Sequence, residues 1–458
     1  MSGFLGIDLG TSSVKLLFRS RDGNILRARE AYTEKTPQGW WAALCRGIGK
    51  LPPLEIEGVG LSSQVGTYLV NGGESIIGWD AAAGVEELNK IKGDISQETF
   101  LSEISMPHPD LLSYPMPAIL YAKKRMEKIH SICMPKDFLM EKLTGHRLSD
   151  PYSWRGLANL ETEDYSEKML DYLNVSADIL PPLLPPSALA GRLTREAALE
   201  TGLREGLPIY NGCNDFFAAL LGSGVQRNGD LFDITGTSEH VGGVAEENLR
   251  ADQVVSGKYF FHFVRYGVTA SSGPSLNLMR RLFPGGCNPK QILEKMPPVF
   301  LPYLNGERCP ICDPNARGVF FGVSGNCGEA EMAYAVMEGV CFSLKHILEK
   351  LQLPRGRMIV TGGAAENPAL NQLKADILGM ELTISREKEA SALGACMIAM
   401  TGAGVCAGFE EAQKICCGEA EYYSPENTDA FTDRFALYKR LYPILKDEFQ
   451  ALRSVKKQ

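Results

Sequence analysis

One short pattern occurs twice in this chain, at the heads of two halves of similar size. Asp8-Leu9-Gly10-Thr11-Ser12 stands near the start and Ile234-Thr235-Gly236-Thr237-Ser238 near the middle. Each lies between two apolar runs, residues 4–8 and 14–18 in the first case, 231–235 and 241–244 in the second. Each reads as a strand, a polar turn and a returning strand. In the first half Asp22-Gly23 offers a further turn and residues 25–30 a third strand. That is a β-meander, not a strand-to-helix unit. The echo points to a duplicated domain, because one supersecondary unit is then used twice. A length of 458 residues fits two or three domains. The glycines and polar residues of 222–230 mark the junction. We place the two domains at 1–225 and 226–458.

The rest of the chain alternates helical and strand signals. Residues 40–50, 117–130, 137–143, 166–173, 194–201 and 216–221 have helical patterning, and 58–62 and 208–211 read as strands. The proline-dense stretch 180–186 is a surface connection. The second half ends in a regular α/β order. A long amphipathic helix spans 329–350, a strand 358–360, and a turn follows at Thr361-Gly362-Gly363-Ala364. Pro368 opens a helix over 368–378, as proline does at a first helical position. A strand over 382–384, a small-residue helix over 391–400 and a charged helix over 429–455 complete the chain.

The chain carries 47 Lys and Arg against 55 Asp and Glu, a formal charge of −8. That balance argues against a general nucleic-acid binder or a polybasic membrane protein. No run approaches the ~20 apolar residues of a membrane span. The amino terminus enters a strand directly and shows no signal peptide. With twelve cysteines, this implies reduced thiols and a cytoplasmic setting. Cys309 and Cys312 form a close pair, but a zinc ribbon needs a second pair at suitable spacing, and none is present.

Several residues are able to carry chemistry. The turn at Gly10, Thr11 and Ser12, with Asp8 before it and Lys15 after it, offers backbone amides and hydroxyls to phosphate oxygens. Asp8 is suited to hold magnesium through water, and Lys15 to neutralise a transferring phosphoryl group. The plain alternative is a polar hairpin turn, and the glycine-rich P-loop spacing is absent. Gly236 and Thr237 form the second candidate phosphate turn. Gly362 and Gly363 follow a strand and precede a helix, where glycine lets a flat ligand approach the backbone, with Asn367 nearby. A tight strand-to-helix turn explains the same residues. Asp215 precedes an apolar helix and is either its N-cap or a general base held anionic at a helix start. No histidines show metal spacing.

These blocks together resemble the FGGY family of carbohydrate kinases, within the actin–hexokinase–Hsp70 ATPase superfamily. The resemblance runs nearly end to end. It is carried by the opening residues 6–15, and by Pro135-Lys136-Asp137-Phe138-Leu139 with Leu143-Thr144-Gly145 and Ser149-Asp150. It continues through Gly212-Cys213-Asn214-Asp215 and Gly236-Thr237-Ser238, residues 302–308, and residues 313–318. It closes with Gly362-Gly363-Ala364, Ala375-Asp376-Ile377 and Ala392-Leu393-Gly394-Ala395. The block around Lys136 is most like xylulokinases. The resemblance implies an α/β fold of two ribonuclease H-like domains around a central cleft, sugar mainly on the first and ATP mainly on the second. It implies Asp215 as catalytic base and substrate contact, and Gln64 as a substrate residue. It implies Asp8, Gly10, Thr11, Ser12 and Lys15 at the first phosphate and magnesium region, with Asp8 toward the metal. It implies Gly236 and Thr237 at the second phosphate turn, Gly273 and Asn277 reaching the nucleotide, and Gly362, Gly363 and Asn367 at adenosine.

The implied reaction is ATP-dependent phosphorylation of a sugar hydroxyl, with ATP and Mg2+ as cofactors and a pentulose as the expected acceptor. Domain closure would exclude water from it. No nucleic acid or membrane partner is implied. Kinases of this kind are often dimers, which leaves a homodimer open. The chain departs from the xylulokinase pattern at the sugar end. Val65 and Gly66 replace the usual Met-His, alanines 81–83 replace an Arg, Phe216 and Phe217 follow Asp215, and Trp154 stands where a small residue is common. Fewer polar groups remain to satisfy hydroxyls. Another ketose, a polyol or an aldonate is therefore an alternative acceptor. A non-catalytic sugar or nucleotide sensor, or an ATPase acting on protein partners, are readings of other classes.

Overall fold

The computed structural model describes residues 1–79, 84–106, 108–109, 113–159, 161–236, 238–248, 253–292, 296–354, 356–418 and 420–455. The chain forms two compact units. The first comprises Met1–Gln226 with Glu389–Gly418, the second Arg227–Lys388 with Glu419–Gln458.

The first unit is built on a six-stranded sheet. Its strands are β1 (Ser2–Leu9), β2 (Ser13–Ser20), β3 (Ile25–Ala31), β4 (Glu55–Ser63), β5 (Leu189–Arg192) and β6 (Pro208–Asn214). Their order is β5-β6-β4-β1-β2-β3. β1, β2 and β3 form the expected antiparallel meander, while β1–β4 and β4–β6 pair in parallel. β1 is covered on both faces. Leu5, Ile7 and Leu9 join Trp40, Leu44, Leu139 and Met140 in one core. The opposite face alternates to Gly6, which lies under the helix Ala390–Gly402. A Cβ at Gly6 would stand 1.8 Å from the Ala392 carbonyl oxygen, and one at Gly394 would stand 1.9 Å from that of Ala218. Glycine at these points lets the helix seat directly on β1 and on the helix Asp215–Gly222.

This helix is where a single cut near residue 225 departs from the observed units. Residues 392–400 are apolar on every side, and all of them are buried. The first unit supplies that surface, and Glu389–Gly418 packs with it despite lying late in the chain.

The second unit holds a seven-stranded sheet. Its strands are β7 (Leu231–Thr235), β8 (Glu239–Ala245), β9 (Val255–Tyr259), β10 (His262–Thr269), β11 (Met358–Gly362), β12 (Leu382–Ser385) and β13 (Ala420–Tyr423). The order is β9-β10-β8-β7-β11-β12-β13. β7, β8 and β10 pair antiparallel in that order, β9 pairs on the far side of β10, and β11 and β12 add in parallel beside β7. An antiparallel edge strand closes this side, as β5 does in the first unit. The echo of two Gly-Thr-Ser turns is thus a repeated topology.

Local signals fix most elements. Thr194 and Ser166 cap their helices through side-chain oxygens, and Pro368 opens its own. The helix expected over 117–130 is Pro115–Lys123. Beyond Lys123 the sequence is mostly charged and has no apolar stripe to bury, so packing cannot sustain another turn. The long charged helix runs Thr432–Val455, after a short turn of 3-10 helix at Asp429–Phe431.

Candidate active site

In the first unit the meander brings Asp8 and Lys15 opposite each other on β1 and β2, and the parallel neighbour brings Ser62 beside Asp8. Asp8 is buried at the end of β1. Its Oδ1 accepts the Ser62 hydroxyl at 2.7 Å, and its Oδ2 lies 3.4 Å from Lys15 Nζ. Glu389 reaches the same ammonium at 3.4 Å. Burial alone would lower the Lys15 pKa, but Asp8 and Glu389 outweigh it and the pKa is raised. Lys15 therefore stays charged. Gly10 N–H donates to the Ser13 carbonyl at 3.0 Å, and Tyr32 donates its hydroxyl to the Gly10 carbonyl. The turn is thereby tied down, with Thr11 and Ser12 exposed at its tip.

Asp215 follows β6 as the first residue of its helix. The cap is its neighbour: Asn214 Oδ1 accepts the Phe217 amide at 2.8 Å. Of the two readings of Asp215, the capping one is filled by Asn214. Asp215 itself is half-buried. Desolvation by the surrounding protein and the negative charge of Asp8 push its pKa up to about 7, against the pull of the Phe216 amide, Lys15 and Arg155. Such a value suits proton transfer near neutral pH. Gln64 is buried just past β4, and its amide donates to the Leu9 carbonyl at 2.9 Å. Its side-chain oxygen is buried with no partner among the described residues. Native interiors rarely leave such an acceptor unpaired.

Three residues beside this site were not singled out for a role by the sequence. Ser62 orients Asp8, and Glu389 shares Lys15. Arg155 lies with its guanidinium 5.7 Å and 6.0 Å from the Phe216 and Phe217 ring centres. No spacing rule links 155 or 389 to 215; only the fold does. Trp154 is packed into the core of the first unit. It is fully buried, edge-on to Tyr68 and Tyr165, with its indole N–H donating to Ser149 Oγ at 3.0 Å. Alanines 81–83 lie outside the described residues.

The second unit gathers the nucleotide candidates. Gly236 is exposed after β7, while Thr237 lies outside the described residues. Thr235 Oγ1 donates to the Thr361 carbonyl at 3.0 Å and accepts the Ala364 amide at 2.9 Å. It thereby ties the end of β7 to the Gly362-Gly363 turn. Gly362 has φ +97°, and a Cβ there would stand 2.1 Å from the Thr235 carbonyl oxygen. Gly362 is thus required by the backbone, and Gly363 faces open space. Asn367 caps the helix Pro368–Leu378, its Oδ1 accepting from Ala369 and Leu370 at 3.1 Å and 3.2 Å. Its oxygen is committed to the helix, so only its NH2 group is suited to a ligand.

Gly273 and Asn277 lie on the helix Ser272–Leu282. The block over 302–308 fixes the start of that helix. Glu307, buried, accepts Thr269 Oγ1 at 2.8 Å and the Ala270 amide at 3.0 Å, and Ser275 Oγ donates to the Pro302 carbonyl at 3.2 Å. Buried Lys374 binds Asp233 on β7 and Glu239 on β8, the latter at 3.1 Å. Burial and the Glu239 charge push the Asp233 pKa well up. Lys374 outweighs burial at Glu239 and holds its pKa down.

No trio of His, Cys, Asp or Glu side chains able to hold a metal occurs among the described residues, and no helix there is long and apolar enough to cross a membrane. Magnesium asks for one or two carboxylates and takes its other ligands from phosphate and water. Asp8, with one oxygen set by Ser62 and the other beside Lys15, fits that demand.

Residues 4–222 match the N-terminal domain of the FGGY family of carbohydrate kinases, and residues 288–403 match its C-terminal domain. The xylulose kinase of Lactococcus lactis is 29% identical, over 96% of this chain and 97% of that one. The xylulose kinase of Bacillus subtilis is 26% identical over the whole of both chains. The structure of a ligand-bound xylulose kinase from Lactobacillus acidophilus superposes with a TM-score of 0.89 at 21% identity, covering 99% of this chain and 100% of that one. A gluconate kinase from the same organism gives 0.88 at 22%, over 98% and 99%. The fold is that of the sugar kinases in the actin and hexokinase superfamily. With both domains of one family matched in order along it, the chain belongs to the FGGY family of carbohydrate kinases, enzymes that use ATP to phosphorylate sugars.

Proposed function

We propose that this kinase transfers the γ-phosphoryl group of ATP to a hydroxyl of a pentulose, in the manner of a xylulokinase, with Asp215 as general base. The observation that carries this reading is the Asp215 carboxyl, half-buried at the start of the helix after β6 and relieved of the capping role by Asn214, where burial and the charge of Asp8 push its pKa up to about 7. A base is most useful when its pKa lies near the working pH. Asp215 takes the proton of the acceptor hydroxyl as that oxygen bonds to phosphorus and ADP departs. Lys15 remains charged and offsets the negative charge of the phosphoryl oxygens. Asp8 would hold magnesium through water; when bound, that ion supplies further neutralisation of the phosphates. Gly10, Thr11 and Ser12 are assigned to phosphate. Gly236 and Thr237, Gly273 and Asn277, and Gly362, Gly363 and the Asn367 amide are assigned to the nucleotide. Most of the rate gain in such chemistry comes from positioning and electrostatics.

Gln64 is assigned to the acceptor, since its buried oxygen awaits a donor and a sugar hydroxyl provides one. Val65 and Gly66 beside it favour a second reading of the acceptor, as another ketose, a polyol or an aldonate. A cytoplasmic setting goes with this reading, with its twelve cysteines as free thiols.

The test is a coupled ADP-release assay across pentuloses, other ketoses, polyols and aldonates, with Asp215→Ala beside the parent. Acceptor-dependent release that vanishes in the variant is the expected result. Silence across the panel, with ATP still bound, would overturn catalysis in favour of a sensor.

A further inference from the structure

We propose that Lys136 is a positioning residue for Asp215, fastening to one buried ammonium both the strand that enters Asp215 and the loop that carries Arg155. The inference rests on the reading of Asp215 as the base. Lys136 lies in the first turn of the helix Pro135–Thr144 and is buried. Its Nζ stands 3.1 Å from Asp150 Oδ2 and 3.8 Å from Asp137 Oδ1. It also donates to Asn211 at the carbonyl oxygen, 3.3 Å, and at Oδ1, 3.4 Å.

Asn211 sits where β6 leaves its ladder. The register with β4 shifts between Tyr210 and Cys213, and Gly212 takes φ +75°, where a Cβ would stand 1.7 Å from the Leu61 carbonyl oxygen. Backbone groups freed by such an irregularity need other partners. Asn211 N–H finds the Ala188 carbonyl, Gly212 N–H that of Pro186, and the Asn211 carbonyl finds Lys136. The Asn211 side-chain amide adds bonds to the Ser149 and Leu184 carbonyls, both at 2.8 Å. Asp215 follows four residues on. This local detour sets where its carboxyl emerges.

Asp150 takes the other side. It accepts the Ser153 amide at 2.9 Å and hydroxyl at 2.6 Å, fixing the turn that leads to Arg155. Arg155 then lies over Phe216 and Phe217, the two residues after Asp215. The charged groups that act on Asp215 are Asp8 on β1, Lys15 on β2 and Arg155 on this loop. One ammonium thus holds the approach to Asp215 and the placement of one of its cations. Packed apolar residues often replace a buried ion pair without loss of stability. Geometry, not stability, is therefore the role this pair fills.

The test compares the parent with Lys136→Met, and with Lys136→Met/Asp150→Asn, which leaves no unpaired buried carboxylate at 150. Melting temperature and the fraction of folded protein are measured first. The charge-neutral pair is expected to fold, with kcat per folded molecule lowered roughly 10- to 100-fold, as a misplacement of about 1 Å costs. The KM for ATP is expected to stay within twofold of the parent, roughly the scatter of such measurements. The acid limb of the kcat–pH profile is expected to move to higher pH, because Arg155 no longer supports the Asp215 anion. A folded pair variant with unchanged kcat and limb would overturn the inference. Asp215→Asn runs alongside. If it stays active, the base reading fails; if it is inactive while the pair variant behaves as the parent, only the positioning role fails.

Discussion

Asn214 Oδ1 accepts the Phe217 amide at 2.8 Å, so the start of the helix after β6 is capped by Asn214 and not by Asp215. Two adjacent residues, both good caps by type, divide two duties. The amide side chain satisfies the helix, and the carboxylate is left beside Asp8, Lys15 and Arg155, whose charges act on it. Asp215→Asn therefore removes the proposed base and leaves the cap in place.

The first prediction concerns pH. Asp215 is raised to about 7, and a base acts when deprotonated, so kcat should rise with pH through that value. Stability has the opposite sense. The folded state holds this proton more tightly than the unfolded chain, so stability falls as pH rises from the unfolded pKa of about 4 toward 7. Asp215→Asn should abolish turnover while raising the melting temperature at pH 8. A melting temperature unchanged or lower at that pH would count against the electrostatic strain.

Lys15→Met probes the neighbouring cation. Lys15 supports the Asp215 anion and sits between Asp8 and Glu389. The acid limb of kcat should move upward in pH, and the KM for ATP should rise. A profile superimposable on that of the parent would separate Lys15 from Asp215.

Gln64→Met tests the orphan acceptor. Removing a buried oxygen that has no partner among the described residues should cost little stability, since no hydrogen bond to them is lost. The KM for the acceptor should rise about tenfold, the value of one hydrogen bond of roughly 1.4 kcal/mol, with the KM for ATP unchanged. An unchanged acceptor KM would remove Gln64 from the sugar site.

Gly362→Ala tests the nucleotide turn. The positive φ and the 2.1 Å approach to the Thr235 carbonyl leave no room for a methyl group. The KM for ATP should rise tenfold or more, on the order of 1–3 kcal/mol of turn distortion. The acceptor KM, read at saturating ATP, should hold.

Gly6→Ala tests the seat of the Ala390–Gly402 helix. The added Cβ would fall 1.8 Å from the Ala392 oxygen. A loss of about 1–3 kcal/mol in denaturant unfolding is expected, typical of overpacking. A smaller loss would mean that the helix shifts freely on β1.

Much of this molecule is legible in its sequence, because the signals are local. The Gly-Thr-Ser turns, the proline and asparagine at 367–368, the capping Ser166 and Thr194, and the apolar runs of β1, β2 and β7 each fix their element through neighbours a few residues away. Repetition of one such pattern also announces a duplicated topology. Other features depend on partners distant in the chain. The sequence could not tell that Asn214 caps in place of Asp215, since both residues have the chemistry and only backbone direction chooses. It could not bring Glu389 to Lys15, assign residues 389–418 to the first unit, or bury Trp154 against Tyr68 and Tyr165. Nor could it gather Lys136, Asp150 and Asn211 around one ammonium. Those relations arise where β1, β4 and β6 align in parallel and helices cross them. Side chains many residues apart meet there because burial of apolar faces, not sequence proximity, decides which surfaces touch.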